Sequence, residues 1–93
     1  MITIENFDKI RYYDICGGWY VKQESTQQFY YYLECEELND QNIPVGSKTF
    51  VIDRRDRMIY QWDMSYASFR LEREHLTTTS ALIGRIKEMF FLA

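Results

Sequence analysis

The chain has 93 residues and a formal net charge of −3, with 46% apolar, 27% charged and 17% aromatic side chains, which is the size and composition of one small globular domain, 1–93. No apolar run approaches the roughly 18 residues of a membrane span, and the opening MITIENFDKI has neither the basic nor the apolar region of a signal peptide. Two cysteines are too few for a disulfide scaffold, so the expected setting is a reducing cytoplasm.

Behind Thr3, a candidate N-cap, Ile4, Phe7, Ile10 and Tyr13 recur every three residues up to Gly17-Gly18. That spacing predicts a short N-terminal helix ending near Cys16, with glycine past its end. The period then changes to two. Trp19 to Lys22 reads as a strand, Glu24 to Gln27 as a turn, and Phe29 to Glu36 as the hairpin partner. On this second strand Phe29, Tyr31, Leu33 and Cys35 share one face, and Tyr30, Tyr32, Glu34 and Glu36 the other. A loop surrounds Pro44. Thr49 to Ile52 has the continuous apolar character of a central strand, and Asp53 to Arg57 makes a polar turn into Met58–Trp62.

From Tyr66 to Arg73, alternation of Ala67, Phe69 and Leu71 with polar residues favours a strand, while Tyr66, Phe69, Arg73 and Leu76 also suit a helix. The tail is a helix: Thr77 to Ser80 offer N-caps, and Leu82, Ile83, Ile86, Met89 and Phe90 form one apolar stripe. Gly84 lies inside it, and close packing against a neighbour would explain its presence. The predicted fold is therefore α+β: a short N-terminal helix, an antiparallel four- to five-stranded sheet, and a C-terminal helix packed on one sheet face.

Charge is uneven along the chain. Residues 1–47 carry eight acids against three bases, a net −5, and residues 48–93 carry six against eight, a net +2. An acidic stretch repels nucleic acid and steers basic protein surfaces toward it. Arg54, Arg55 and Arg57 beside Tyr60 and Trp62 form the best nucleic-acid candidate, but Asp53, Asp56 and Asp63 interleave with them.

Catalytic signatures do not assemble. His75 is the one histidine, no glycine elbow or cysteine motif flanks a nucleophile, and no Gly-rich phosphate loop occurs. One histidine and two isolated cysteines do not make a zinc set. The expectation is a non-enzymatic protein without metal or cofactor. A small-molecule or enzymatic pocket lined by Phe29, Tyr31, Phe50, Tyr60 and Trp62 is the alternative.

The stretch FYYYLE (Phe29–Glu34) followed by VGSKTFVIDRRDRMIYQW (Val45–Trp62) resembles the central hairpins of small bacterial toxin-immunity proteins of the YrhB-like type. The turn departs from that pattern, with Asp56-Arg57 where the family commonly has a glycine. The resemblance implies a cytoplasmic, non-enzymatic protein that binds and neutralises a toxin domain. Tyrosines on the polar side of a strand suit an interface, because they offer large contact area, a polar tip and few rotors. The expected partner-binding residues are Tyr30, Tyr32, Glu34, Glu36, Glu37 and Asp40, facing a protein with a basic surface such as a toxin or nuclease-type effector. A phage-encoded inhibitor of a host defence system has the same profile, and a second copy of the chain is a further candidate for the same face.

Overall fold

A computed structural model describes residues 10, 12–62 and 64–91, with the backbone alone at 64–67 and 91. Six strands follow one another in the chain: β1 (Asp14–Cys16), β2 (Trp19–Gln27), β3 (Tyr30–Leu38), β4 (Pro44–Asp53), β5 (Met58–Gln61) and β6 (Met64–Arg70). They form one antiparallel sheet in sequential order, curled into a half-barrel. A 3-10 turn (Arg73–Leu76) leads into the single long helix of the described residues, α1 (Thr79–Phe91).

Each connection has a local cause. Gly17 and Gly18 both take left-handed backbone angles, φ +52° and +85°, the pairing that lets a two-residue turn match the twist of its strands. A Cβ on Gly18 would lie 2.7 Å from the carbonyl oxygen of Leu38, so that site excludes a side chain twice over. Between β2 and β3, Gln28 supplies the left-handed residue. Asn39 closes the β3–β4 turn, its side-chain oxygen accepting from the backbone N–H of Gln41 at 2.9 Å and of Ile43 at 3.0 Å.

The core lies inside the curl. Val21, Tyr31, Leu33, Cys35, Phe50, Ile52 and Ile59 of the strands join Leu82, Ile83, Ile86 and Met89 of α1, all buried. The helix touches β1 and β6, the two edges of the sheet, and so spans the open side of the half-barrel. Phe90 completes the packing, its ring 5.3 Å from Trp19 and 5.4 Å from Phe50. Thr78 caps the helix by accepting from the N–H of Ala81 at 3.1 Å. Burial of the Cys35 thiol in this core pushes its pKa up to about 12, which keeps it neutral and inert.

The structure corrects the predicted fold in several places. Asp14–Cys16, where the N-terminal helix was expected to end, is strand β1, and no helix precedes it among the described residues; Thr3, Ile4 and Phe7 lie outside them. A spacing of three drifts around a helix of 3.6 residues per turn, and Ile15, on a strand paired to β2, is buried in the core instead. The sheet has six strands rather than four or five. Glu24 to Gln27 continue β2, and the turn falls at Gln28-Phe29. The segment from Tyr66 to Arg73, read as favouring a strand, is in strand β6 as far as Arg70, and Arg73 opens the 3-10 turn. Gly84 packs against nothing: a Cβ there meets no atom within 4 Å.

These environments predict opposite outcomes for two alanine substitutions. Gly84→Ala, exposed in mid-helix, should stabilise the protein by about 0.5–1 kcal/mol. Gly18→Ala should destabilise it by about 1–3 kcal/mol, both read as midpoint shifts in urea unfolding at constant slope.

Candidate functional site

Burying alternate residues of β3 inside the curl turns Tyr30, Tyr32, Glu34 and Glu36 outward, as their spacing predicts. The strand register sets their neighbours in rows across the outer face. Tyr30 stands between Gln27 and Asp53, with Met58 beyond; Tyr32 stands between Ser25 and Val51, with Tyr60 beyond. Glu34 stands between Gln23 and Thr49, and the N–H of Trp62 donates to the Thr49 carbonyl at 2.8 Å. Glu36 stands between Tyr20 and Ser47.

A band of rings results. Phe29 and Tyr30 lie 5.3 Å apart, Tyr30 and Tyr32 6.3 Å, and Tyr32 and Trp62 6.4 Å, all edge-on or tilted. Val51 is fully buried although it lies outside the core of the curl; it sits between Tyr32 and Tyr60 in the register. Burial first, then the nearby Tyr30, Tyr32 and Asp53, raises the pKa of Tyr60. The band ends on Trp62, 63% exposed.

One end of the band is pinned by charge. Asp53 is buried and accepts from the guanidinium of Arg55 at 3.2 and 3.1 Å and from the Arg55 backbone N–H at 2.9 Å. The same guanidinium donates to the Tyr30 hydroxyl at 3.1 Å and lies 3.9 Å over the Phe29 ring. Hydrogen bonds from Arg55 hold the Asp53 carboxyl below its ordinary value of 3.8, against the opposing effect of burial. Two rows from Tyr32, Glu36 accepts from the Tyr20 hydroxyl at 2.7 Å and pairs with Lys22 at 3.3 Å. The Tyr20 bond, with Lys22, lowers the Glu36 pKa, and the same bond to Glu36, with burial, raises that of Tyr20.

The six expected contact residues therefore do not form one patch. Tyr30, Tyr32, Glu34 and Glu36 share the face, but Glu36 is engaged within it. Glu37 lies on the opposite face, beside Gly46 and Trp19. Asp40 sits in the turn past β3, some 25 Å or more along the strand from Tyr30 at about 3.3 Å per residue. Trp62 and Tyr60, expected as lining of an inner pocket, are on the outside, while Tyr31 and Phe50 are in the closed core, so the pocket imagined from these side chains does not assemble. Alternation along Met58–Trp62 held the signal: Ile59 and Gln61 are buried between the less buried Met58, Tyr60 and Trp62. Hydrophobic weight overruled it, because Gln61 reads as the outward residue. Arg54, expected with Arg55 on a basic surface, stacks 4.6 Å over inward Tyr31.

A cleft of about 190 Å³ opens beside Trp62, lined also by Ser47, Lys48 and Thr49. Among the described residues, no group of three or more His, Cys, Asp or Glu is placed to hold a metal ion, and no helix is long and apolar enough to cross a membrane. Comparison with protein-family models, with characterised proteins and with solved structures yields no match to this chain, so the chemistry of this face has to be read from its own residues.

The Asp53–Arg55 fork predicts a specific acid response. A carboxylate with a lowered folded pKa stabilises fully above the ordinary carboxylate range, and that stability is lost as pH falls through the folded value. Asp53→Asn should cost about 1–2 kcal/mol at neutral pH, a figure reduced by the half-exposed Arg55, and should flatten the fall in unfolding free energy below roughly pH 4. An unchanged acid slope in pH-resolved urea titrations would exclude this role.

Proposed function

We propose that this chain is a small non-enzymatic protein-binding module, of immunity or antitoxin type, that neutralises another protein by covering part of its surface with the outer sheet face. One observation carries the reading: a band of aromatic rings runs across a sheet face on which no other described element packs, and it ends on the exposed Trp62. Leaving Trp62 in water forfeits burial worth roughly 1.5–3 kcal/mol for a large side chain. Phe29, Tyr30 and Tyr32 are half-buried beside it, and rings gathered in this way suit an interaction site. Tyrosine and tryptophan are also the residues most enriched where binding energy concentrates.

The shape fits a protein better than a small molecule. The cleft beside Trp62 holds about 190 Å³, below the roughly 300 Å³ where small-ligand sites begin. The outer face of a six-stranded sheet, by contrast, is of the scale of the ~800 Å² per partner of a standard interface. Mechanism is occlusion: Tyr32 and Trp62 anchor, Tyr30 is held in place by Arg55, and Glu34 at the edge of the band sets orientation and association rate toward a basic surface. The acidic turn around Asp40 belongs to another end of the molecule and is not part of this contact.

The test is capture of the partner from the native host, identification by mass spectrometry, and titration of the purified pair. Tyr32→Ala combined with Trp62→Ala should weaken binding by about 2 kcal/mol or more, with neutralisation lost in parallel. A loss below about 0.5 kcal/mol in a variant that unfolds at the wild-type midpoint removes this face as the interface.

A further inference from the structure

The outer face contains two sets of groups of the same chemistry, and only one of them is filled by the chain itself. At one end Arg55 lies over Phe29, donates to Tyr30 and forks onto the Asp53 carboxylate. At the other end the Tyr32 and Trp62 rings stand 6.4 Å apart and tilted by 57°, with the Glu34 carboxylate two residues along β3 on the same face. Among the described residues, no cation stands over Tyr32 or Trp62, and Glu34 has no hydrogen bond or ion pair.

We propose that this second set is a receptor for one arginine side chain of the partner protein, laid over Thr49 between Trp62 and Glu34, beside the cleft lined by Ser47, Lys48, Thr49 and Trp62. The inference rests on the reading of the outer face as a docking surface. Register sets the span: Thr49 lies between Glu34 and Trp62 on adjacent strands, so these two residues flank a short side chain across about two strand spacings, roughly 10 Å between backbones. Ser47, next on the same face, is also short and lines the cleft with Thr49. The adjoining cleft of about 190 Å³ leaves open space beside Thr49 and Trp62 for the stem of such a side chain. A guanidinium there stacks on the indole, forks onto the carboxylate and donates to the hydroxyls, which a lysine ammonium does less well because it lacks a planar face. The one basic residue lining the cleft, Lys48, sends its ammonium to the inner side of the sheet, 5.5 Å from the Trp19 ring and 5.7 Å from Phe90, where it does not occupy the site.

The experiment titrates the isotope-labelled full chain with the blocked peptide Gly-Arg-Gly and with its neutral citrulline counterpart, followed by NMR. The arginine peptide should saturably shift the Trp62 indole N–H and the Thr49 and Ser47 amides, with the citrulline peptide markedly weaker. Glu34→Gln should raise the dissociation constant roughly two- to fivefold, Trp62→Ala should abolish the response, and Glu36→Gln should leave it unchanged. Equal response to citrulline, shifts mapping elsewhere, or no response at millimolar peptide would overturn the proposal. Failure here with partner capture still sensitive to Tyr32→Ala and Trp62→Ala removes only the arginine site. Arginine binding with capture insensitive to those substitutions keeps the site and removes the docking face.

Discussion

A strand that buries every second residue must show the others to the opposite side, and β3 makes that constraint govern this molecule. Tyr31, Leu33 and Cys35 are drawn into the curl by the apolar stripe of α1, so Tyr30, Tyr32, Glu34 and Glu36 have no choice of side. The same constraint passes through the register to β4 and β5. Phe50 and Ile52 go inward, Val51 outward, and Tyr60 and Trp62 with it. The described residues contain one long helix, and it lies within the curl against both sheet edges. What α1 does for the inner face, aromatic side chains do partially for the outer one, with Tyr32 and Tyr60 sheltering Val51.

Electrostatics then divides the outer face. Asp53 and Arg55 form a near-closed unit that also ties Tyr30 to the β4–β5 turn. Glu36 is likewise satisfied by Tyr20 and Lys22. The fork on buried Asp53 adds modestly to stability, whereas the more exposed Lys22–Glu36 pair contributes little; both fix side-chain positions and cancel local charge. Between the two units lie Tyr32, Glu34, Thr49 and Trp62, where polar and aromatic capacity is left for another molecule. The acidity of the first half of the chain is thus a poor guide to the contact surface, because Glu36, Glu37 and Asp40 are spent, turned away or distant.

Legibility followed the strength of the local pattern. The C-terminal helix was readable because Leu82, Ile83, Ile86 and Met89 repeat at helical spacing behind a threonine cap, and each is buried. The β3 alternation was readable for the same reason at period two. The N-terminal segment misled: regular apolar spacing near three looked helical, yet Asp14–Cys16 gains more as an edge strand paired to β2 across the Gly17-Gly18 turn. The extent of β2 was hidden because Glu24 to Gln27 are polar on both faces, and only pairing with Tyr30 to Leu33 makes them strand. Trp62 was misplaced because a tryptophan outside and a glutamine inside reverse ordinary expectation.

By itself the sequence determined the C-terminal helix, the two faces of β3 and the surplus of rings over interior, since periodicity and composition are local or additive. Only the tertiary structure decided which aromatics share a surface with Tyr30 and Tyr32, because that depends on register between strands and on the side of the sheet that the helix takes. Strand pairing brings Glu34, Thr49 and Trp62 together from separate parts of the chain, and no spacing along a single strand encodes that neighbourhood. The physical reason is that side-chain direction is set residue by residue, whereas proximity across a sheet is set by hydrogen bonding between segments whose register is fixed by the fold as a whole.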